Sequence, residues 1–372
     1  MPLGYCEAVV RHLQNIDPQN YSGSKVTPQG FSNMLFEQKP NYELINEPYM
    51  NGHRREQRLK YKLRTTEAQV QTADGCGVDV VPAYKETTVV LNDVVKLAIH
   101  QTDDVIRQYC VDASNMVAFG TPPTRLMEEH LDSIYTALNG MYAKMERVLT
   151  TKMALNFGKN ARTGSTAASN INFNLNGTTQ NFQEGLTRII ADTQINEFCG
   201  TPMIVGGGNI HSFAVNKMAN AYGLNQYGLD QNALADAMGF KFFLSNITQN
   251  TWGSNQFGVF SAGSAQFVEN PLYVNSFAQD LGTVKMFTFF DPRVQCYTPN
   301  GLQNMAWDVK MIYNACSESK AGGYLGTTTY GQGWEFIITK NYGLFIDPND
   351  MYDGADVIGG QNGTLRYTAQ NS

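Results

Sequence analysis

Between residues 124 and 155, apolar side chains recur in alternating steps of four and three, at Met127, Leu131, Ile134, Leu138, Met141, Met145 and Val148. That period lays them in one stripe along a helix. Tyr135, Tyr142 and Leu149 widen the stripe, which predicts a broad buried face. Thr121 with Pro122 and Pro123 supplies a start signal, and Gly158 a stop. Glu128, Glu129 and Asp132 lie near the start while Lys144, Arg147 and Lys152 lie near the end, the order a helix dipole favours. At about 1.5 Å per residue the helix is roughly 45 Å long, far beyond the ordinary mean of about 11 to 12 residues. A rod of that length reads as a spine.

Elsewhere the pattern changes. Leu59, Tyr61 and Leu63 alternate with Arg58, Lys60, Lys62 and Arg64, the period of a strand with one basic face. Asp74 to Gly77 offers a turn, and Val78, Val80 and Val81 form the return strand of a hairpin that projects from the chain. Residues 1–50, with few apolar positions and frequent Pro, Gly and Asn, read as an extended arm lying on something else. Val89 to Leu91 reads as a strand, Asp93 to Tyr109 as a helix, and Gly158 to Asn181 as a loop or irregular hairpin. Helix over Phe182 to Phe198, strand over Pro202 to Val205, helices from Asn209 and Gln231, and strand over Lys241 to Ser245 suggest a mixed α/β lobe. Strands follow at 257–260, 265–268, 285–290, 306–313 and 335–339.

Composition narrows the classes. A chain of 372 residues with 42% hydrophobic content folds, and is long enough for two or three compact units. Only 16% of residues are charged, so much of the surface is neutral and polar, as suits contact with other protein. The net charge of −6 argues against a dedicated nucleic-acid binder. Six scattered cysteines without a Cys-x-x-Cys pair read as free thiols in a reducing compartment. The amino terminus lacks a continuous apolar signal region, and no run of about 18 apolar residues would span a membrane. The Asn-x-Thr triplets at Asn176, Asn246 and Asn362 are chance matches in an Asn-rich chain.

Catalytic and ligand motifs fail in detail, which predicts no catalytic, cofactor or metal residues. MIVGGGNIHSF, from Met203, offers strand, glycines and helix start, where amides would hold phosphate. The third glycine of a dinucleotide fingerprint is replaced by His211, so the segment reads as a strand-to-helix turn needing positive φ. His12, His53, His100, His130 and His211 show no metal-ligand spacing. Asp347, Asp350, Asp353 and Asp356 lack the glycine and terminal Glu of a calcium loop and read as a solvated acidic loop. Ser261-Ala-Gly-Ser264 has the wrong order for a nucleophile elbow. The one basic cluster is Arg54, Arg55, Arg58, Lys60, Lys62 and Arg64, opposed locally by Glu56. It suits an acidic patch on a neighbouring subunit, nucleic-acid phosphates, or a solvated strand face that deters edge pairing.

Arm, hairpin, spine helix, α/β lobe and β-rich return, in that order, resemble the tailed-bacteriophage major capsid protein family, the Hong Kong 97 fold. Two stretches carry the likeness: RLMEEHLDSIYTALNGMYAKMERVLTTKMALNFG, and NFQEGLTRIIADTQINEFCGTPMIVGGGNIHSFAVNKMANAYG followed by ALADAMGFKFFLSN. In that family helix, Pro-containing strand, helix and a Leu-x-x-x-x-Gly-x-x-x-x-x-Ser return build the axial lobe, and Leu234, Gly239 and Ser245 occupy those positions. FGVFSAGSAQFVEN resembles the strand pair that follows.

The resemblance implies an α+β fold divided into an N-terminal arm (1–50), an extended hairpin loop (51–88), a peripheral domain with the spine (89–160), an axial domain (161–285), and a β-rich return with a C-terminal tail (286–372). It implies an icosahedral shell around double-stranded DNA, built by self-association into hexamers and pentamers in the host cytoplasm. A portal protein would be a partner, with no membrane contact. Lacking a long charged N-terminal segment, the chain would use a separate scaffolding protein, and no Lys and Asn pair matches cross-linking positions. The basic cluster would lie on the loop that covers an adjacent subunit. The same fold serves encapsulin-type compartments, the alternative reading. A nucleotide-using α/β enzyme centred on Gly206 to Gly208 ranks third.

Overall fold

The computed structural model describes residues 30–45, 56–62, 84–102, 125–172, 181–210, 239–271, 279–280, 284–314, 318–322, 326–330, 333–348 and 360–370. The spine is there as a single 30-residue helix, α2 (Arg125–Ala154). From Ile134 onward, Ile134, Tyr135, Leu138, Met141, Tyr142, Met145, Leu149 and Met153 are buried, so the stripe legible in the sequence is the face that packs. Against it lies a six-stranded antiparallel sheet. Its path runs β10 (Gln279–Asp280), β11 (Val284–Thr298), β12 (Gly301–Asn314), β15 (Gly333–Ile346) and β4 (Asp93–Thr102), with β9 (Ala265–Glu269) pairing the far end of β15. Met305, Trp307, Val309 and Met311 alternate inward from β12, and Phe336, Ile338 and Tyr342 from β15, the period of two that meets a helical stripe face to face. Truncating one of these side chains to Ala costs about 2–5 kcal/mol, as in any core of this density.

Three further sheets are formed among the described residues. A five-stranded sheet has the order β5 (Ser169–Asn172), β16 (Thr364–Gln370), β8 (Gln256–Phe260), β6 (Met203–Gly206), β7 (Lys241–Leu244). Its β6/β7 and β5/β16 pairs are parallel. Helix α3 (Asn181–Ile195) buries Ile189 in this sheet's core, which also holds Ile171, Ile204, Phe257, Val259, Leu365 and Tyr367. The third sheet joins β1 (Tyr42–Leu44), β2 (Glu56–Lys62) and β3 (Tyr84–Val90), and the last is the pair β13 (Glu318–Gly322) and β14 (Gly326–Tyr330). One continuous apolar cluster runs from the six-stranded sheet through α2 to Met203, Val205 and Phe260 of the five-stranded sheet. Among the described residues the fold is thus mixed α/β, with several sheets and few helices.

Several expectations give way. Residues 93–102 form a strand, not a helix, because ten consecutive positions pair with β15 from Asp93↔Tyr342 to Thr102↔Gly333. Val95 is buried and Leu97 half-buried between exposed Val94, Lys96 and Ala98, so the same residues fit a period of two. The arm expectation fails at α1 (Phe31–Glu37), a helix whose Phe31, Met34, Leu35 and Phe36 are at most 1% exposed in the main core. The return strand of the hairpin is β3 at residues 84–90, in register Glu56↔Val90 to Lys62↔Tyr84; the turn and Val78 to Val81 lie outside the described residues.

Helix α2 ends at Ala154, four residues before Gly158, so that glycine is not its C-terminal cap. Gly158 serves a close approach instead: a Cβ there would sit 2.2 Å from Asn362 Oδ1, and its N–H donates to Thr364 Oγ1 at 3.0 Å. On β11 the register jumps from Asp291↔Met305 to Gln295↔Asn304, leaving three residues bulged. Pro292 sits in that bulge, where its missing N–H deprives no ladder position.

Candidate functional site

Strand β2 carries the described part of the basic cluster. Its alternation turns Leu59 and Tyr61 inward and leaves Glu56, Arg58 and Lys62 exposed, with Lys60 half-buried. The inward side has no need of a foreign partner. Leu59 and Tyr61 join Tyr42, Leu91, Val268 and Phe345 in a core of this chain, with the Tyr61 and Phe345 ring centroids 5.7 Å apart. The expectation of a wholly projecting hairpin is therefore corrected at its base.

The outward side is not basic once the neighbouring strands are in place. Glu43 of β1 and Glu86 of β3 stand opposite Lys60, one on each side. Residues opposite one another in an antiparallel ladder point to the same face. Arg58 Nη2 donates to Glu86 Oε2 at 2.8 Å, and Lys60 Nζ stands 4.5 Å from the centroid of the Tyr84 ring. With Glu56 on the same strand, three cations meet three carboxylates on one face. Lys62 faces the aromatic Tyr84 across the ladder rather than an acid. Arg54, Arg55 and Arg64 lie outside the described residues. Glu43 is far from the cluster in sequence, and no local pattern would reveal its place opposite Lys60.

The glycine turn after β6 shows what it is for. Gly206, Gly207 and Gly208 do not adopt positive φ, contrary to expectation. They allow α4 (Asn246–Trp252) to approach: a Cβ on Gly207 would lie 2.6 Å from the Cβ of Gln249. The Gly208 N–H, the amide a phosphate would want, donates to Gln249 Oε1 at 3.1 Å. A hollow between Ile204, Ile210, Phe242 and Phe243 has a cavity volume of about 10 Å³, room for about one water molecule and far below the roughly 300 Å³ of an ordinary ligand site. Gly239 has φ +69, and Ser245 caps α4 by accepting the Thr248 N–H at 3.2 Å.

Charged side chains in the interior are used structurally. Arg293 in the β11 bulge forks onto Asp291 through Nε at 2.9 Å and Nη2 at 2.8 Å. The Asp291 carboxylate also accepts the Tyr142 hydroxyl, which in turn accepts the Trp307 indole N–H, both at 3.2 Å. Burial and the Asp291 charge raise the Tyr142 hydroxyl well above the ordinary phenol value. Lys340 pairs with Glu269 and donates to the Ala306 carbonyl at 2.6 Å beneath Trp307. Asp192 on α3 pairs with Arg162 and accepts from Asn160 Nδ2 and the Tyr367 hydroxyl at 3.1 and 3.0 Å. The sequence signal for these groups was a charge interrupting an apolar strand or helix face.

Among the described residues no three His, Cys, Asp or Glu side chains are grouped to hold a metal. Asp347 is buried, its N–H donating to the Ser264 carbonyl at 2.8 Å, so the acidic stretch begins in the interior and not in a solvated loop. Asp350, Asp353 and Asp356 lie outside the described residues, as do His12, His53 and His211. Cys199 and Cys296 are free thiols. The Ser261 hydroxyl donates to the Cys199 carbonyl at 3.3 Å.

No family model and no curated protein matches the chain. Among solved structures, the chain is similar to the capsid asymmetric unit of cyanophage A-1(L), at 11% identity over 94% of this chain and 95% of that one, with a TM-score of 0.46. It is likewise similar to a structure from Mycobacterium phage Adephagia, at 10% identity over 97% of each chain and a TM-score of 0.44. The capsid of cyanophage P-SCSP1u is a third, at 10% identity over 94% and 90% of the two chains and a TM-score of 0.41.

Proposed function

We propose that this chain is the major capsid protein of a tailed bacteriophage, a non-enzymatic subunit of the Hong Kong 97 fold. The carrying observation is the arrangement around α2. One face of a 30-residue helix packs on a long antiparallel sheet, a hairpin precedes the helix in the chain, and a smaller sheet with the parallel pair β6/β7 follows it. A parallel pair demands a crossover, and the residues between that would form its helices in the family resemblance, 211–238, lie outside the described residues.

In this reading the function is mechanical. Copies associate into hexamers and pentamers, close an icosahedral shell with the help of a scaffolding protein and a portal, and enclose double-stranded DNA in the virion capsid. Heterologous contacts that close on themselves make such rings. The hairpin beyond Lys62 and Tyr84, with Arg54, Arg55 and Arg64 near it in sequence, is the segment that would reach an adjacent subunit. The neutralised face at Arg58 and Lys60 would meet a mixed surface there, and Lys62 an acidic or carbonyl-rich one.

Electron microscopy of the expressed protein, alone and with its scaffolding partner, tests the reading. Closed shells are expected; persistent monomers under both conditions would sink it. Shells carrying a cargo enzyme in place of DNA would favour the encapsulin alternative. The nucleotide reading has little support, because the Gly208 amide is taken and the adjacent hollow is small. A nucleotide-induced thermal shift would revive it.

A further inference from the structure

The five-stranded sheet is completed by the last described strand, β16. β16 lies second in the order, between β5 and β8, pairing antiparallel with β8 from Thr364↔Phe260 to Thr368↔Gln256 and parallel with β5 from Tyr367↔Ser169 to Gln370↔Asn172. Among the described residues, β5 has no other strand neighbour. Among the described residues, three of the ten buried in this sheet's core, Leu365, Tyr367 and Ala369, come from β16. Tyr367 stacks on Phe257 at 5.4 Å between ring centroids and donates its hydroxyl to the buried Asp192 of α3.

The residues leading into the strand fasten the spine. The Gly360 carbonyl accepts the Lys159 N–H at 2.9 Å, Asn362 Nδ2 donates to the Asn156 carbonyl at 3.0 Å, and Thr364 Oγ1 accepts the Gly158 N–H. The Gly363 carbonyl accepts the Ser261 N–H at 2.8 Å, just beyond β8. One segment of eleven residues, 360–370, thus closes the smaller sheet and sets the exit of α2 relative to it.

We infer that residues 360–370 are a completion strand that gates assembly: until they insert, the smaller lobe has an open slot between β5 and β8, and the subunit does not present the paired surfaces of the two lobes. A chain still being synthesised lacks this strand until residue 370 has been added. Its partners are about 100 and 200 residues upstream, a separation that makes their pairing slow in any folding sequence. The slot takes an extended peptide with apolar side chains at alternate positions, the recognition mode of strand addition. The gating part rests on the shell-forming reading; the slot itself does not.

The test compares the full chain, a chain ending at residue 359, and that chain with a synthetic peptide of residues 360–372 added, with a scrambled peptide as control. Amide exchange is expected to show protection lost in β5, β6 and β8 of the shortened chain and kept in β11 and β12, with the peptide but not its scramble restoring it. Shell yield should follow the same order. Undiminished protection of β8 in the shortened chain would overturn the inference. If the shortened chain aggregates, the full-length Leu365→Asp variant gives the same readout, and equal loss of protection in both sheets would overturn a lobe-specific slot. Should the lobe respond as expected while the full chain forms no shells, the functional reading falls and the slot stands.

Discussion

The carboxylate of Glu146 on the spine accepts the backbone N–H of Ser32 at 2.6 Å, with Phe31 N–H on its other oxygen at 2.9 Å. Helix α1 has no side-chain cap of its own, so its first free amides are satisfied by a residue 114 positions away. Thr248 Oγ1 adds a donor at 3.4 Å, and a Cβ on Gly30 would collide with Ser245 and Glu146. One carboxylate therefore ties α1, α2 and α4 together.

Burial raises Glu146 above the ordinary carboxylate value, against the lowering effect of the Ser32 and Phe31 donors. The folded chain then holds this proton more tightly than the unfolded chain. The stability this contributes is fully present below the ordinary carboxylate range and is lost as pH rises through the raised value. Glu146→Gln removes the titration and turns one amide group toward an N–H, costing about 1–3 kcal/mol at neutral pH. Thermal unfolding from pH 7 down to pH 5 should show the wild type's margin over the variant widening. A margin that narrows on acidification would contradict this.

Two glycines near the spine should respond in opposite directions. Gly158→Ala forces the added Cβ onto Asn362 side-chain and backbone atoms, 2.2 to 2.9 Å away, and should destabilise by about 1–3 kcal/mol. Gly140→Ala, in the exposed middle of α2 with nothing within 4 Å of the new Cβ, should stabilise by about 1 kcal/mol through helix propensity. Urea unfolding of both variants checks the pair.

On the hairpin the three cations are not equivalent. Lys60→Glu would place three carboxylates in one cross-strand row with Glu43 and Glu86, lowering stability by about 0.5–1 kcal/mol. Lys62→Glu, with Tyr84 opposite, should leave stability within about 0.5 kcal/mol. A drop in shell yield from Lys62→Glu at unchanged melting temperature would report an inter-subunit contact. Normal particles from that variant would remove Lys62 from the interface.

Removing the fork on Asp291 should be the most damaging of these changes. The Arg293 and Asp291 side chains are 2% and 0% exposed, so Arg293→Ala strands a buried carboxylate and should cost about 3–5 kcal/mol. The double variant Arg293→Met with Asp291→Leu should recover part of that loss, because no uncompensated charge is left. Chemical denaturation of the single and double variants measures the difference. A double variant no better than the single one would show that packing, and not charge, decides the bulge.

What could be read without coordinates was what repeats locally. The stripe from Ile134 to Leu149 needs only a period of 3.6 and a broad apolar face, and the inward sides of β8, β9, β12 and β15 need only β-branched and aromatic runs between turns. Residues 93–102 read as the start of a helix in the sequence, because Val94, Val95, Leu97 and Ile99 fit a helical period as well as a strand's over so short a stretch. Only ten ladder positions on β15 decide for a strand. Helix α1 was missed because its burial comes from elements far along the chain, not from its own pattern.

The candidate site divides the same way. The sequence by itself determined that Arg58, Lys60 and Lys62 share a face, since alternation on a strand is a local property. Tertiary structure alone brought Glu43 and Glu86 to either side of Lys60, covered Leu59 and Tyr61 with Phe345 and Val268, and set Gln249 on the glycine turn. Charge and burial depend on neighbours in space. A row of cations in one strand becomes a neutral face once its partner strands supply carboxylates, and register across the sheet decides whether they do.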